Sequence, residues 1–154
     1  MKMASRKLWV AEPPAAYALR SPLVVDASVV AALVFEESDG DKAEAMLAAR
    51  VLHAPFLLDH EMASVALRKL QREQLSASKA TSALGAYARM GIECHAVDVA
   101  GVVELARRYG LTAYDAAYLW VAEQVGAPLA TFDQQLAKAA REHLAGGDRV
   151  HDTG

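Results

Sequence analysis

The sequence predicts a three-layer α/β/α fold, in which helices cover both faces of a central, mainly parallel sheet of four to five strands. Short apolar segments alternate with longer segments of helix-forming residues, as in proteins built from parallel strands. The segment LVVD at 23–26 is apolar on both faces, which indicates a strand covered on both sides. Of the 154 residues, 54% are hydrophobic, which is enough for the core of one domain.

The first half of the chain is predicted to alternate between strands and pairs of helices. The patterns place a strand at 23–26, helices at 29–37 and 41–50, a strand at 51–55, and helices at 59–74 and 76–90. Asp59 is the predicted N-cap of the helix at 59–74, because its carboxylate can accept hydrogen bonds from the free N–H groups of the first turn. Gly85 lowers the helix propensity of the helix that follows.

The second half continues the alternation. A strand is predicted at 94–97, helices at 99–109 and 114–125, a strand at 127–131, a helix at 133–144 and a candidate edge strand at 148–151. Asp98 is a suitable N-cap for the helix at 99–109, and Gly110 ends that helix.

Residues 1–20 are predicted to be a flexible N-terminal leader, and residues 21–154 a single domain. The leader has no sustained hydrophobic period and contains Pro13 and Pro14. No uncharged apolar run approaches the roughly 18 residues that a membrane span requires, so no membrane association is expected. Cys94 is the only cysteine, which excludes a disulfide framework and favours a reducing, cytoplasmic setting.

The charge of the chain excludes a protein that binds nucleic acid over its whole surface. Lysine and arginine total 16 and the acids 19, for a net charge of −3, so a polyanion would have to be held locally. The five histidines show no ligand spacing in the sequence.

Four acids stand where predicted strands end or helices begin: Asp26, Glu61, Asp115 and Asp133. Three of them have a structural explanation. Asp115 completes a capping box with Thr112, Asp133 is a suitable N-cap, and Glu61 is typical of a solvated acid in a first turn. Asp26 differs because it ends an apolar strand, where a buried carboxylate needs a strong partner.

Parallel strands bring these junctions to one edge of the sheet, in the crevice where ligands bind. We therefore expect the four acids to converge. Two carboxylates about 4 Å apart repel by about 4 kcal/mol at an effective dielectric of 20, whereas an N-cap stabilises by about 1 kcal/mol. A cluster of four needs cations, and oxygen ligands select hard ions such as Mg²⁺ or Mn²⁺.

Four segments in this order and spacing resemble the PIN-domain ribonucleases, most closely the VapC toxins of bacterial toxin–antitoxin pairs: LVVDASV, HEMASVALRK, LTAYDAAYLWVAEQVGAPLATFD and the QQLAKAA that follows it. The resemblance spans residues 22–150 and implies that residues 21–154 are a single PIN domain. It also implies that the four acids are the catalytic, metal-binding residues, with supporting hydroxyls from Ser28 and Thr131.

Two features depart from the family pattern. Similar proteins begin almost directly at the first strand, so a leader of about 20 residues is atypical. Asp59 stands two residues before Glu61 and competes for its role. The sequence EMASVALRK favours Glu61, since it matches the family pattern from that position.

The resemblance implies endonucleolytic hydrolysis of structured RNA, such as tRNA or rRNA, that leaves a 3′-hydroxyl and a 5′-phosphate. It further implies a VapB-like antitoxin as partner and a homodimer. Arg68 and Arg72 follow Glu61 at spacings of seven and four residues, so they share one stripe of a helix and are candidate substrate-binding residues. The alternative for both arginines is a solvated surface stripe.

Two other functions remain open at this point. The first is a non-catalytic PIN-fold module that binds RNA or protein. The second is an aspartate-based phosphatase or receiver domain, which also places an aspartate after the first strand. A phosphatase of this kind requires an acid two residues later, where Ser28 stands. A receiver requires a lysine near a late strand end, and the sequence has none there.

Overall fold

The computed structural model describes residues 4–11 and 20–146. The strands are β1 (Trp9–Ala11), β2 (Pro22–Val25), β3 (Val51–Pro55), β4 (Glu93–His95) and β5 (Leu129–Thr131). The helices are α1 (Ala27–Val34), α2 (Gly40–Leu47), α3 (Leu57–Gln71), α4 (Ala77–Arg89), α5 (Val99–Tyr109), α6 (Ala113–Val125) and α7 (Gln134–Gly146). The predicted α/β fold is confirmed.

The sheet has the strand order β1-β5-β2-β3-β4. The pairs β2–β3, β2–β5 and β3–β4 are parallel, and β1 runs antiparallel to β5. Leu23, Val24 and Val25 of the central strand β2 are fully buried. Helices α5, α6 and α7 pack together as one group, and α1 packs against α2, α3 and α4 as the other. Within the described residues, no helix is both long enough and apolar enough to cross a membrane.

Capping residues set several helix ends where the sequence predicts them. The Asp98 carboxylate accepts a hydrogen bond from Gly101 N–H at the start of α5, and Thr112 accepts one from Asp115 N–H at the start of α6. Gly110 and Gly126 end these two helices with φ angles of 65° and 67°. This left-handed conformation costs glycine little because it has no Cβ.

The prediction that Asp59 is an N-cap is wrong. Helix α3 begins at Leu57, and its N-cap position is Phe56, which has helical φ and ψ angles and makes no side-chain capping bond. Asp59 therefore lies within the first turn, and its carboxylate accepts a 2.6 Å hydrogen bond from the Tyr87 hydroxyl of α4. The carboxylate that the sequence predicts as a helix cap therefore makes a tertiary hydrogen bond instead.

Part of the predicted flexible leader is ordered. Residues 9–11 form β1, and Trp9 pairs with Thr131. The guanidinium of Arg141 lies 4.5 Å from the centroid of the Trp9 ring, and Ala11 is 1% exposed. Residues 9–11 thus belong to the sheet, whereas the sequence predicts a flexible leader up to residue 20. The candidate edge strand at 148–151 lies outside the described residues, and β1 takes the edge position beside β5.

A buried acid holds the segment that precedes β1. Asp39 is fully buried and accepts hydrogen bonds from Arg6 Nε at 2.8 Å and from Ser5 Oγ at 3.2 Å. Although burial opposes ionisation, these hydrogen bonds and the guanidinium charge hold the pKa of Asp39 below its usual value. The contact fastens residues 5 and 6 to the turn before α2.

Candidate metal centre

Asp26 stands at the carboxyl end of β2 and caps α1. Its carboxylate accepts hydrogen bonds from the Ser28 hydroxyl at 2.6 Å, from Val29 N–H at 3.2 Å and from the Thr131 hydroxyl. The residue is 6% exposed. Burial raises the pKa of Asp26 to about 6, with a smaller contribution from the charge of Asp115, while the three hydrogen bonds oppose the rise.

The two hydroxyls that were predicted to support the site both contact Asp26. Thr131 Oγ1 donates to Asp26 and accepts from Asp133 N–H at 2.9 Å. Ser28 Oγ donates to Asp26 and accepts from Phe132 N–H at 3.1 Å. Each hydroxyl therefore joins the β2–α1 junction to the β5–α7 junction, 104 or 105 residues apart along the chain.

Glu61 lies in α3 and faces the same edge. Burial raises its pKa to about 7, and the charges of Asp26 and Asp115 contribute to this rise. Its Oε1 atom is buried and has no hydrogen-bond partner among the described residues. The Tyr118 hydroxyl is also buried and makes no well-formed hydrogen bond, but it lies close enough to Glu61 to lower the pKa of that carboxyl against the effect of burial. Burial, followed by the charge of Glu61, raises the pKa of Tyr118. A buried carboxylate with so poor a partner would gain from a cation.

Asp115 is half-buried and Asp133 lies on the open side of the centre. Asp115 lies in the first turn of α6, where burial and then the charge of Asp133 raise its pKa. Asp133 is exposed, and its carboxylate accepts a 2.8 Å hydrogen bond from Leu136 N–H at the start of α7. The capping role predicted for Asp133 is confirmed and leaves its other oxygen available.

The structure brings the four acids to one edge of the sheet. Asp26 and Asp115 both raise the pKa of Glu61, and Asp133 raises that of Asp115, so the four charges form one connected set. They are neighbours rather than mutual contacts: among the described residues, no three of these carboxylates have ligand oxygens all within 4.8 Å of one another. Side-chain rotation would have to close the set around an ion.

A cleft of about 430 Å³ extends from the centre along α3. Ser28 and Glu61 line one part of it. Four basic residues line the cleft as well: Arg6, Arg68, Lys69 and Arg72. Among the described residues, neither Arg68 nor Arg72 has a carboxylate within 4.0 Å, which leaves both guanidinium groups available to an anion.

Sequence reasoning missed two of these basic residues. Arg6 belongs to the predicted leader and reaches the cleft because Asp39 and Glu37 bind its guanidinium. Lys69 lies between the two predicted arginines and forms a 3.2 Å ion pair with Glu37. The EMASVALRK segment contains Lys69, but the position of Arg6 depends on a contact more than 30 residues away.

A second group of possible ligands, also missed by sequence reasoning, lies on β3 and β4. His53 Nδ1 is 2.9 Å from His95 Nε2 and 3.5 Å from Glu93 Oε2. Strand pairing creates this group, since His53 is in register with Glu93. His53 and His95 are 42 residues apart in the sequence, so the spacing of the histidines does not predict this group.

Comparison with known proteins identifies the family of this chain. A family model described as PIN domain matches residues 23–142. The chain is 35% identical over 121 residues to Ribonuclease VapC3 of Pyrobaculum aerophilum, which covers 75% of this chain and 92% of that protein. It is 38% identical over 117 residues to Ribonuclease VapC9 of Mycobacterium tuberculosis, which covers 75% of this chain and 88% of that protein.

A solved structure shows the same fold. The crystal structure of PAE2754 from Pyrobaculum aerophilum aligns with a TM-score of 0.62 and 24% identity, over 77% of this chain and 79% of that one. The resemblance that the sequence motifs indicate is confirmed by the family match and by these relatives. The chain belongs to the PIN-domain family and, within it, to the VapC ribonucleases.

Proposed function

We propose that this chain is a Mg²⁺- or Mn²⁺-dependent endoribonuclease that acts as the toxin of a toxin–antitoxin pair. Its catalytic and metal-binding residues are Asp26, Glu61, Asp115 and Asp133. Its relatives are named VapC ribonucleases, which supports RNA as the substrate. The observation that carries the proposal is the buried carboxylate of Asp26, coupled to Glu61, whose Oε1 atom has no partner among the described residues.

The residues present fit a hard divalent cation. All four side chains offer oxygen ligands, the donor type that Mg²⁺ and Mn²⁺ prefer. Burial and mutual repulsion raise the pKa of Asp26 to about 6 and that of Glu61 to about 7. A cation would offset both effects and satisfy Glu61 Oε1.

A bound cation supplies activation of water and neutralisation of the scissile phosphate. The residues of the chain hold the acidic side chains in place. Ser28 and Thr131 hold one oxygen each of Asp26, so this carboxylate has a fixed direction. Thr131 also holds the backbone N–H of Asp133, which fixes the turn that carries the fourth acid.

The cleft along α3 is the proposed path of the RNA. Arg68 and Arg72 both line it, and Arg68 lies about 10 Å from Glu61 along the helix axis. This distance suits phosphates that flank the scissile bond. The net charge of the chain is −3, so local arginines and the cation, rather than the overall field, would hold the polyanion.

Partners and location follow from family membership. We infer a VapB-like antitoxin, a homodimer, a structured RNA substrate such as tRNA or rRNA, and a cytoplasmic setting. The acidic centre beside an open cleft would accept an arginine from the antitoxin. The single cysteine, Cys94, is consistent with a reducing compartment.

The test is cleavage of structured RNA by the purified chain. We expect cleavage with Mg²⁺ or Mn²⁺, loss of cleavage with a chelator, and recovery when metal is restored. Asp115→Asn should lower the initial rate by roughly 100-fold. This variant keeps the helix start, because Thr112 accepts its hydrogen bond from the backbone N–H of residue 115.

The other outcomes separate the alternatives. Binding of RNA with no metal-dependent cleavage, in both the parent chain and Asp115→Asn, would indicate a non-catalytic PIN scaffold. Phosphorylation of Asp26 by acetyl phosphate would indicate a receiver or phosphatase. The Ser28 hydroxyl stands where a phosphatase of that class carries a second acid, and it donates a hydrogen bond to Asp26, which argues against this chemistry.

A further inference from the structure

Three potential metal ligands converge on one face of the sheet, on strands β3 and β4. His53 is paired in register with Glu93, and His95 follows two residues after Glu93. Residues two apart on a strand point to the same face, so the three side chains lie side by side. One ligand atom from each of His53, Glu93 and His95 lies within 4.8 Å of the other two.

The separations match those of ligands around a small cation. Zn–N bonds of about 2.0–2.1 Å in a tetrahedron place ligand atoms about 3.3–3.4 Å apart. The two separations from His53 Nδ1, 2.9 Å to His95 Nε2 and 3.5 Å to Glu93 Oε2, lie on either side of that value. The third, between Glu93 and His95, is within 4.8 Å, and rotation of the exposed Glu93 side chain would close the group around an ion.

Hydrogen bonding alone explains this group less well. His53 Nδ1 makes both close contacts. A proton on that nitrogen can serve one of the two acceptors, and an unprotonated nitrogen can accept from His95 while it repels the Glu93 carboxylate. A divalent ion between the three atoms would be attracted to each of them at once.

We propose that His53, Glu93 and His95 form a second divalent-metal site, selective for Zn²⁺ or a similar transition ion such as Co²⁺, that fastens the edge strand β4 to β3. Two imidazoles and one carboxylate are a ligand set for borderline ions, whereas Mg²⁺ prefers oxygen alone. The two centres therefore select different metals.

The position of the group suits a stabilising site. Strand β4 has three residues and, among the described strands, pairs with β3 alone, so few backbone hydrogen bonds hold it. His53 is 8% exposed and forms the fixed side of the site. The Glu93 side chain is 62% exposed, which gives the ion a path of entry and leaves room for water as a fourth ligand.

The test uses the untagged full chain, freed of metal and kept in excess Mg²⁺ so that the carboxylate centre does not compete. Co²⁺ is titrated by visible absorption, and Zn²⁺ by competition with a chromophoric chelator. We expect one equivalent to bind. Glu93→Gln and His95→Gln should each weaken binding by roughly 100-fold or more, since loss of even an outer-shell partner costs about 10–100-fold.

Two further variants serve as controls. His143 also contacts a glutamate, with Nε2 3.3 Å from Glu123 Oε1, but it belongs to no three-ligand group within the described residues. His143→Gln should therefore keep the parent affinity. Asp26→Asn should keep it too, because Asp26 belongs to the carboxylate centre.

Thermal unfolding provides a second measurement. Zn²⁺ at about 100 times its Kd should raise the Tm of the parent chain by roughly 5–10 °C and leave that of Glu93→Gln almost unchanged. Glu93 is exposed, so this variant keeps the fold, and its RNA cleavage in Mg²⁺ should equal that of the parent.

Three results would overturn the proposal. The first is tight Zn²⁺ binding that survives both Glu93→Gln and His95→Gln. The second is no binding by the parent chain. The third is loss of the Co²⁺ spectrum in Asp26→Asn, which would place the ion at the carboxylate centre. None of these results depends on whether the chain cleaves RNA.

Discussion

The four acids form two unlike pairs. The inner pair is Asp26 and Glu61, where burial raises the pKa values to about 6 and about 7. The outer pair is Asp115 and Asp133, of which Asp133 is exposed and caps α7. Asp133 is stabilised by water and by a local hydrogen bond, whereas burial raises the pKa of Asp115 as it raises those of the inner pair. The difference shows that burial, rather than the number of acids, determines where a cation is most needed.

Local structure explains the two pairs to different degrees. Asp133 would be a good residue at its position in any protein that starts a helix there. Glu61 has no such explanation, because it caps no helix and leaves a buried oxygen without a partner among the described residues. Asp26 caps α1, but capping does not require the burial that raises its pKa. The inner pair therefore carries the metal interpretation.

The largest expected effect is the difference between Asp26→Asn and Asp133→Asn. Asparagine caps helices about as well as aspartate, so both variants keep the starts of α1 and α7. We expect Asp26→Asn to lower the rate of RNA cleavage by on the order of 10³-fold and Asp133→Asn by about tenfold. Initial rates at saturating Mg²⁺ measure both. Equal losses in the two variants would remove the distinction between inner and outer acids.

The second comparison sets Glu61 against Asp59, which lies two residues before it. Glu61→Gln should lower the cleavage rate by roughly 100-fold, because it removes a charge that is coupled to Asp26 and Asp115. Asp59→Asn should keep the rate within about twofold, since its carboxylate binds the Tyr87 hydroxyl. Asp59→Asn should instead lower the free energy of unfolding by about 1 kcal/mol, as measured by urea unfolding. A reversed pattern of activity would assign the catalytic role to Asp59.

The pH dependence of stability tests the burial of the inner pair. The folded pKa of Asp26 is raised from 3.8 to about 6, so the folded state of the metal-free protein binds more protons than the unfolded state between these values. Stability is therefore greatest at low pH within this window and falls as the pH rises. Asp26 alone accounts for up to about 3 kcal/mol across the window.

Urea unfolding of the metal-free chain between pH 4.5 and pH 8 measures this loss. Glu61, with a pKa of about 7, extends the decline above pH 6. Both Mg²⁺ and Asp26→Asn should flatten the curve, the first by stabilising the ionised carboxylates and the second by removing one of them. Metal-free stability that rises from pH 5 to pH 8 in the parent chain would contradict the assignment.

The features that the sequence predicts correctly have local signals. Thr112 and Gly126 bound α6 because a cap and a left-handed glycine act within one turn. The alternation of strands and helices places Asp26 and Thr131 at the same edge, since parallel strands share a direction. Both inferences need only a few neighbouring residues and one rule of topology.

The features that the sequence does not reveal depend on distant contacts. Trp9 pairs with Thr131 across most of the chain, and Arg6 binds Asp39 across 33 residues. A three-residue strand is too short to show a hydrophobic period, so β1 cannot be predicted from the sequence without knowledge of its pairing with β5. The contact between His53 and His95 is a similar product of strand pairing. The capping prediction for Asp59 is wrong for a different reason. Its local signal is strong, but a tertiary hydrogen bond to Tyr87 overrides it.

The smallest expected effect concerns the basic side of the cleft, outside both acid pairs. Arg68→Ala and Arg72→Ala should each lower kcat/KM by about 3–10-fold, mainly through KM. Each should also reduce by about one the slope of log KM against log salt concentration, since a phosphate contact is removed. Arg107→Ala is the matched control, because Arg107 is exposed in the last turn of α5. If all three variants showed the same small loss, the arginines of α3 would be a solvated stripe, and the acids with their cation would have to orient the RNA alone.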